Sequence, residues 1–241
     1  MRFGVAIRSS AIPGLPARER GEELRRLALA AEDNGFDSIW VPDRTVFPQD
    51  IAARYPGRFG DPGSIPDSQH VLEPVTALSF LAGSTSKIKL GFNVLVLPFR
   101  NPVLNAKMVT TLDVLSGGRV IFGAGVGWMP EEFEAMSASY GERGALTDEH
   151  IEMFKALCAG EAAEYDGRHF HLSKKVFYPR PLQKPHPPIW IGGKSRAALR
   201  RVARDRFRRL VHRALRSLPR ELHEQLDNVE LTVRREPSAA D

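Results

Sequence analysis

Between residues 2 and 193 the chain alternates short, nearly unbroken apolar runs with stretches of helical periodicity. RFGVAI (2–7), FDSIWV (36–41), IKLGFNVLVLP (88–98), RVIFGAGVGW (119–128) and PPIWIGG (187–193) read as strands. Between the first two, Leu24, Leu27, Ala28 and Ala31 stand at i, i+3, i+4 and i+7, which predicts a helix over 19–34 closed by Gly35. Further helices are expected at about 73–84, 101–115, 131–139 and 147–159, with Pro74 and Pro102 suited to the first helical position. Strands that are apolar along their whole length are buried on both faces, and strict strand–helix alternation places them in a parallel sheet with helices outside it. Doubly wound sheets and (β/α)₈ barrels both satisfy the pattern, and in both the chemistry collects at the C-terminal strand ends. Only Tyr165-Asp166-Gly167-Arg168 interrupts it, with Asp-Gly as a hairpin turn signal.

Composition narrows the class. Hydrophobic residues at 42% and charged residues at 26% of 241 exclude wholesale disorder. No apolar run is long enough to span a bilayer, and the stretch after Met1 is too short for a secretory signal, so a cytoplasmic location without membrane partners is expected. The single cysteine, Cys158, excludes an intrachain disulfide framework and a cysteine-built zinc site; its spacing with Ile151, Phe154 and Leu157 reads as a buried, inert thiol. The net charge of +5 is uneven: residues 194–241 hold 13 Lys and Arg against 7 Asp and Glu, whereas 1–193 hold 21 against 22. Such asymmetry points to a boundary, placed near residue 204.

At the strand ends, Gly123-Ala124-Gly125-Val126-Gly127-Trp128 approaches a dinucleotide fingerprint but puts Trp128 where the third glycine must stand. Glycines here and at Gly192-Gly193 still let backbone N–H groups approach a planar ring or a phosphate; tight strand-to-helix turns are the plain alternative. Asp43, where a strand enters a loop, is either a ligand acceptor or a helix-capping or solvated carboxylate. Glu131 and Glu132 complement a helix dipole, and His169 and His171 lack a third metal ligand nearby. Residues 44–72, rich in Pro and Gly, form a lid candidate. Arg143 is a candidate for an anionic substrate group, against ordinary surface ion pairing.

The segments FDSIWVPDR, LEPVTALSFLAGSTSKIKLGFNVLVLPFRNPVLNAK, TLDVLSGGRVIFGAGVGWMPEEFEA and PPIWIGG resemble the luciferase-like oxidoreductases, and most of all their coenzyme F-420-dependent branch. The resemblance covers about residues 1–204. It implies a TIM-type (β/α)₈ barrel with a deazaflavin, or alternatively FMN, at the C-terminal mouth, acting by hydride transfer or oxygen activation on a small organic substrate. It further implies that Asp43 touches the cofactor and that Asn93 and Val94 are joined by a non-proline cis peptide bulging towards the ring. Gly125, Gly127 and Trp128 would line the ring, with Gly192 and Gly193 near the phosphate-bearing tail. Two departures stand out. Many relatives have Asp-His where this chain has Asp43-Arg44, and some carry a catalytic Glu at the position of Trp128. Arginine does not exchange a proton at neutral pH, though it holds an anion or a developing charge. Arg44, Glu131 and Glu132 are therefore the catalytic candidates, with the acid/base role unassigned.

After residue 204 the expected next strand is absent. The architecture predicted is thus a (β/α)₈ barrel incomplete at about five βα units, followed by a foreign α/β tail, 205–241. In that tail Phe207, Leu210, Val211, Ala214, Leu215 and Leu218 form an amphipathic helix, and the stretch resembles the opening of small zincin-like metallopeptidases. His223-Glu224 lacks the second His of a zinc helix, so peptidase activity is not expected. An unclosed sheet leaves apolar surface for the tail or a second subunit, in a homodimer, to shield. The competing functions are an inactive remnant or assembly module, and nucleic-acid binding through the tail; the latter is disfavoured because aromatic interleaving stops at Phe207.

Overall fold

The structure is a computed structural model that describes residues 3–7, 15–56 and 71–203. The predicted tail, 205–241, lies outside the described residues, as do residues 57–70 of the lid candidate. By internal contacts the chain divides into residues 1–199 and 200–241. The following concerns the first unit; of the second, residues 200–203 are helical.

Six strands form the main sheet: β1 (Gly4–Ala6), β2 (Ser38–Val41), β3 (Lys89–Phe92), β4 (Leu95–Val96), β5 (Val120–Gly125) and, last in the chain, β8 (Ile189–Ile191). The order is β1-β2-β3-β5, with β4 and β8 also paired to β5, and every pairing is parallel. The connecting helices are α1 (Arg20–Asp33), α2 (Ile51–Arg54), α3 (Pro74–Ser84), α4 (Pro102–Leu115), α5 (Pro130–Ala135) and α6 (Arg143–Ala159). Strands β6 (Ala162–Asp166) and β7 (His171–Val176) make a separate antiparallel hairpin.

Local chemistry accounts for several boundaries. Glu73 caps α3 by accepting from Thr76 N–H at 2.7 Å, and Asn101 caps α4 by accepting from Val103 and Leu104 N–H, each helix opening on a proline. Gly35 ends α1 at φ +77°, in the left-handed region. The hairpin tip is held from α6, where the Glu149 carboxylate accepts from Arg168, His169 and Phe170 N–H. At the N-terminal rim, Glu32 accepts from Ser86, Lys87 and Ile88 N–H. Beside it the Arg119 guanidinium donates to the carbonyls of Ala82, Thr85, Ile88 and Ser116.

Three expectations need correction. The run 88–98 is not one strand: after Phe92 it breaks at Asn93-Val94, resumes as the two-residue β4, and turns into a 3₁₀ segment at Leu97–Phe99. β3 pairs with the start of β5 and β4 with its end, so the break lies in the middle of one edge. Second, the strand predicted to Trp128 stops at Gly125, where pairing with β4 and β8 runs out. Third, the two later helices span 130–135 and 143–159, because 136–142 is a turn region entered by Ser137 at φ +52°.

The two faces of the sheet differ in kind. Ile39, Val41, Leu90, Phe92, Val120, Phe122 and Ala124 point to one side and pack in a single core with Leu24, Ala28, Leu78, Leu81, Val109, Phe154 and Leu157 from the helices. The opposite face carries glycine and tryptophan. The Trp40 indole lies over Gly91, with Gly4 beside its Nε1, and meets the Trp190 ring at 5.0 Å between centroids. Trp190 remains 55% exposed. Helices on one face only are the arrangement of a barrel wall, not of a doubly wound sheet. The barrel is not closed: among the described residues β1 pairs with β2 alone and β8 with β5 alone.

Candidate active site at the strand mouths

The C-terminal ends of β2, β4, β5 and β8 are drawn together by two devices. The first is Asp43. Its side chain is buried, and its carboxylate accepts from Val96 N–H at 2.7 Å and from both Arg100 terminal nitrogens, Nη1 at 2.6 Å and Nη2 at 3.1 Å. Arg100 Nη1 also donates to Val96 O. Asp43 therefore ties the exit of β2 to β4, and its hydrogen-bonding capacity is engaged by the protein. Arg100, which the sequence reading missed, is its fixed partner; no motif surrounds it to announce the pairing.

The second device is Val94. The Asn93–Val94 peptide is cis, as the resemblance implied. Val94 turns its two methyl groups onto neighbouring strand ends: a Cβ on Gly192 would stand 2.5 Å from Val94 Cγ1, and one on Gly125 would overlap Cγ2. Both glycines are thus required by a side chain of the protein itself. Gly127 has another reason, with φ +74° and a hypothetical Cβ 2.7 Å from the Phe133 ring. Gly193 is exposed at φ +105°, and among the described residues a Cβ there would meet only Ala198.

The catalytic candidates sit on the β5 side of this mouth. Arg44 lays its guanidinium on the Trp128 indole, 4.6 Å from the ring centre, and donates Nη1 to Glu132 Oε2 at 2.5 Å. The other Glu132 oxygen accepts from Thr45 N–H at 3.0 Å. Glu132 is wholly buried; burial pushes its carboxyl up, against the pull of Thr45 N–H and Arg44. Glu131, one residue earlier, faces α2 and takes Arg54 Nη1 and the Tyr55 hydroxyl. Its carboxyl is held low, first by its own backbone N–H at the helix start, then by Tyr55 and Arg54. The Tyr55 ring meets Trp128 edge-on at 5.2 Å. Both glutamates thus anchor the segment that follows β2.

Arg143 is not brought to Arg44 directly. It donates to Tyr140 O at 2.6 Å and stacks on the Tyr140 ring at 4.0 Å, while the Tyr140 hydroxyl donates to Trp128 O. His171 pairs with Asp166 in the hairpin, His169 donates its N–H to Glu149, and among the described residues no three metal-ligating side chains meet. Cys158 is buried and its thiol is pushed up to about 12, chiefly by desolvation.

The residues present fit a flat, partly apolar redox ring. Val94, half-buried, gives an apolar shelf held on Gly125 and Gly192, Asn93 is exposed beside it, and Arg44 on Trp128 supplies a cationic rim.

Comparison with known proteins supports a shared ancestry. Residues 1–221 match the model of the luciferase-like monooxygenase family, which carries the likeness past residue 204; the likeness of the tail to zincin-like metallopeptidases finds no support. An uncharacterized protein of Mycobacterium tuberculosis is 35% identical over 178 residues, 74% of this chain and 61% of that one. The FMNH(2)-dependent dimethylsulfone monooxygenase of Pseudomonas putida is 31% identical over 177 residues, 72% of this chain and 44% of its own length. The chain therefore spans between 44% and 61% of the length of these relatives. The solved structure of a coenzyme F-420-dependent tetrahydromethanopterin reductase from Methanopyrus kandleri superposes with a TM-score of 0.62 at 23% identity, over 83% of this chain and 52% of that one, a likeness of fold. With its parallel barrel wall, its Val94 seat and this match along most of its length, the chain belongs to the luciferase-like monooxygenase family.

Proposed function

We propose that the chain is an oxidoreductase whose strand mouths hold coenzyme F-420 or FMN against a small organic substrate. The observation that carries this reading is the seat of Val94 on Gly125 and Gly192, which gathers three strand ends under one half-buried apolar shelf. Bound there, a deazaflavin or flavin supplies the two-electron chemistry, by hydride transfer or oxygen activation. The chain's own residues orient and polarise. Asn93, Val94, Gly125, Gly127 and Trp128 would bear on the ring, and the backbone of Gly192 and Gly193 would hold the phosphate-bearing tail. Asp43 acts through Arg100 and β4 as a positioning residue. Glu132 and Glu131 hold the segment after β2, leaving Arg44 as a permanent cation at the rim rather than an acid or base. Both an FMNH(2)-dependent relative and an F-420-dependent structural neighbour support a coenzyme of this class.

The open sheet face, with Trp190 exposed, favours a second reading: a barrel segment that packs without catalysis. Titrating the protein separately with F-420 and FMN, following coenzyme fluorescence, tests the two. Saturable micromolar quenching by one coenzyme is the expected result. No binding of either would leave the packing role.

A further inference from the structure

The surroundings of Arg44 are more constrained than an ion pair alone requires. Glu132 is fully buried with both oxygens engaged, one by Arg44 Nη1 and one by Thr45 N–H. Arg44 is the opposite case: its side chain keeps 18% exposure, its face is laid on Trp128, and among the described residues its Nε and Nη2 meet no acceptor. Neighbouring charges are matched, Asp43 by Arg100, which Glu73 also approaches, and Glu131 by Arg54, which also holds Asp50, so among the described residues the outer arm of Arg44 is an uncommitted donor at this rim.

Burying a carboxylate to pair one arginine is a poor source of stability, because desolvation offsets the Coulomb gain. It is a good way to fix a guanidinium in space. One arm held by Glu132 and one face held by the indole leave a rigid planar fork, the geometry that pairs with two oxygens of an anion.

We propose that Arg44, fixed by Glu132 and Trp128, is a specificity-determining residue that receives an oxyanion group of the substrate, a carboxylate or sulfonate, at the strand mouth. The substrate class is thus anionic. This rests on the redox reading of the mouth given above. Glu132 is then a positioning residue acting through Arg44.

The test uses isothermal titration of the full chain with benzoate, benzenesulfonate and uncharged benzamide, for the wild type and for Arg44→Ala, Arg44→Lys and Glu132→Gln. A charge-assisted pair should favour the anions over benzamide by about tenfold or more. Arg44→Ala should abolish that preference, and Glu132→Gln should reduce it several-fold although Arg44 remains. Arg44→Lys, which keeps the charge beside Glu132, should retain a weaker preference and stays informative if Glu132→Gln does not fold. A wild type without anion preference, or an Arg44→Ala variant that keeps it, would overturn the proposal. The same variants titrated with FMN and riboflavin distinguish the source of the anion. If Arg44→Ala weakens FMN but not riboflavin, the anion received is the cofactor's phosphate, and the substrate assignment fails. Coenzyme binding without anion preference sinks this inference alone; anion preference without binding of F-420 or FMN sinks the redox reading alone.

Discussion

A methyl group of Val94 fills the space in which Gly125 would carry a side chain. The glycine-rich exit of β5 is therefore explained first by packing within the protein, and only through that packing by any ligand. A shelf built from a branched side chain on a glycine floor is stiffer than a bare glycine loop, since neither partner has room to move.

Substituting the floor should show this directly. Gly125→Ala is expected to destabilise the protein by about 1–3 kcal/mol through overpacking. Val94→Ala should relieve most of that loss in the double variant, because the two changes share one space. A urea-melt double-mutant cycle measures the coupling; strictly additive effects would show that the contact is not tight.

Asp43 is the next test. Replacing it with alanine leaves Arg100, whose side chain is 15% exposed, without its bidentate partner and strands the Val96 N–H. Breaking such a buried pair costs about 3–5 kcal/mol. The loss of stability should be accompanied by loss of F-420 or FMN binding, because β4 no longer holds its place. Thermal melts and coenzyme titration on Asp43→Ala and Asp43→Asn read both effects.

His150, wholly buried on α6, sets an acid limit. Its Nε2 meets Asn105 Nδ2 at 3.1 Å, and among the described residues its Nδ1 has no partner. Burial, and secondly Arg100, push its pKa down from 6.5 to about 3. Below pH 6.5 the unfolded chain takes up a proton that the folded chain refuses, so stability should fall progressively from about pH 6.5 towards pH 3. Glu32 adds to the same side of the curve. Burial alone would raise its carboxyl, but the N–H groups of Ile88, Lys87 and Ser86 together lower it. Its contribution is present above its unfolded value of 4.5 and is lost as pH falls through the folded one. Urea melts from pH 7 to pH 3 on the wild type and on His150→Gln separate the two: the variant should lose the slope above pH 4.5 and keep one below it.

Glu149 offers a local counterpart. Glu149→Ala removes the carboxylate that accepts three hydrogen bonds from the hairpin tip, donated by the N–H groups of Arg168, His169 and Phe170. Amide exchange at those three positions should accelerate by at least tenfold, with little change at β5. Unchanged protection there would mean that the clasp holds nothing.

What the sequence determined by itself is the succession of most elements and the parallel sense of the sheet. Leu24, Ala28 and Ala31 repeat at the helical period, and FDSIWV reads as a nearly unbroken apolar run that contains β2. Both signals are short-range, because period and burial are written within a few residues of each other. The cis junction at Asn93–Val94 was legible only through resemblance to a family, since no periodicity distinguishes it from the apolar run around it. The tertiary structure alone decided the partners. Arg44 meets Glu132 across 88 residues and Asp43 meets Arg100 across 57, and in each case several other charged residues lay nearer in the chain. Spacing along a chain cannot rank such candidates: an ion pair depends on where the packed helices carry each side chain, and that is settled only when the sheet folds. The same holds for Gly125 and Gly192, whose missing side chains have meaning only once Val94 is laid across them.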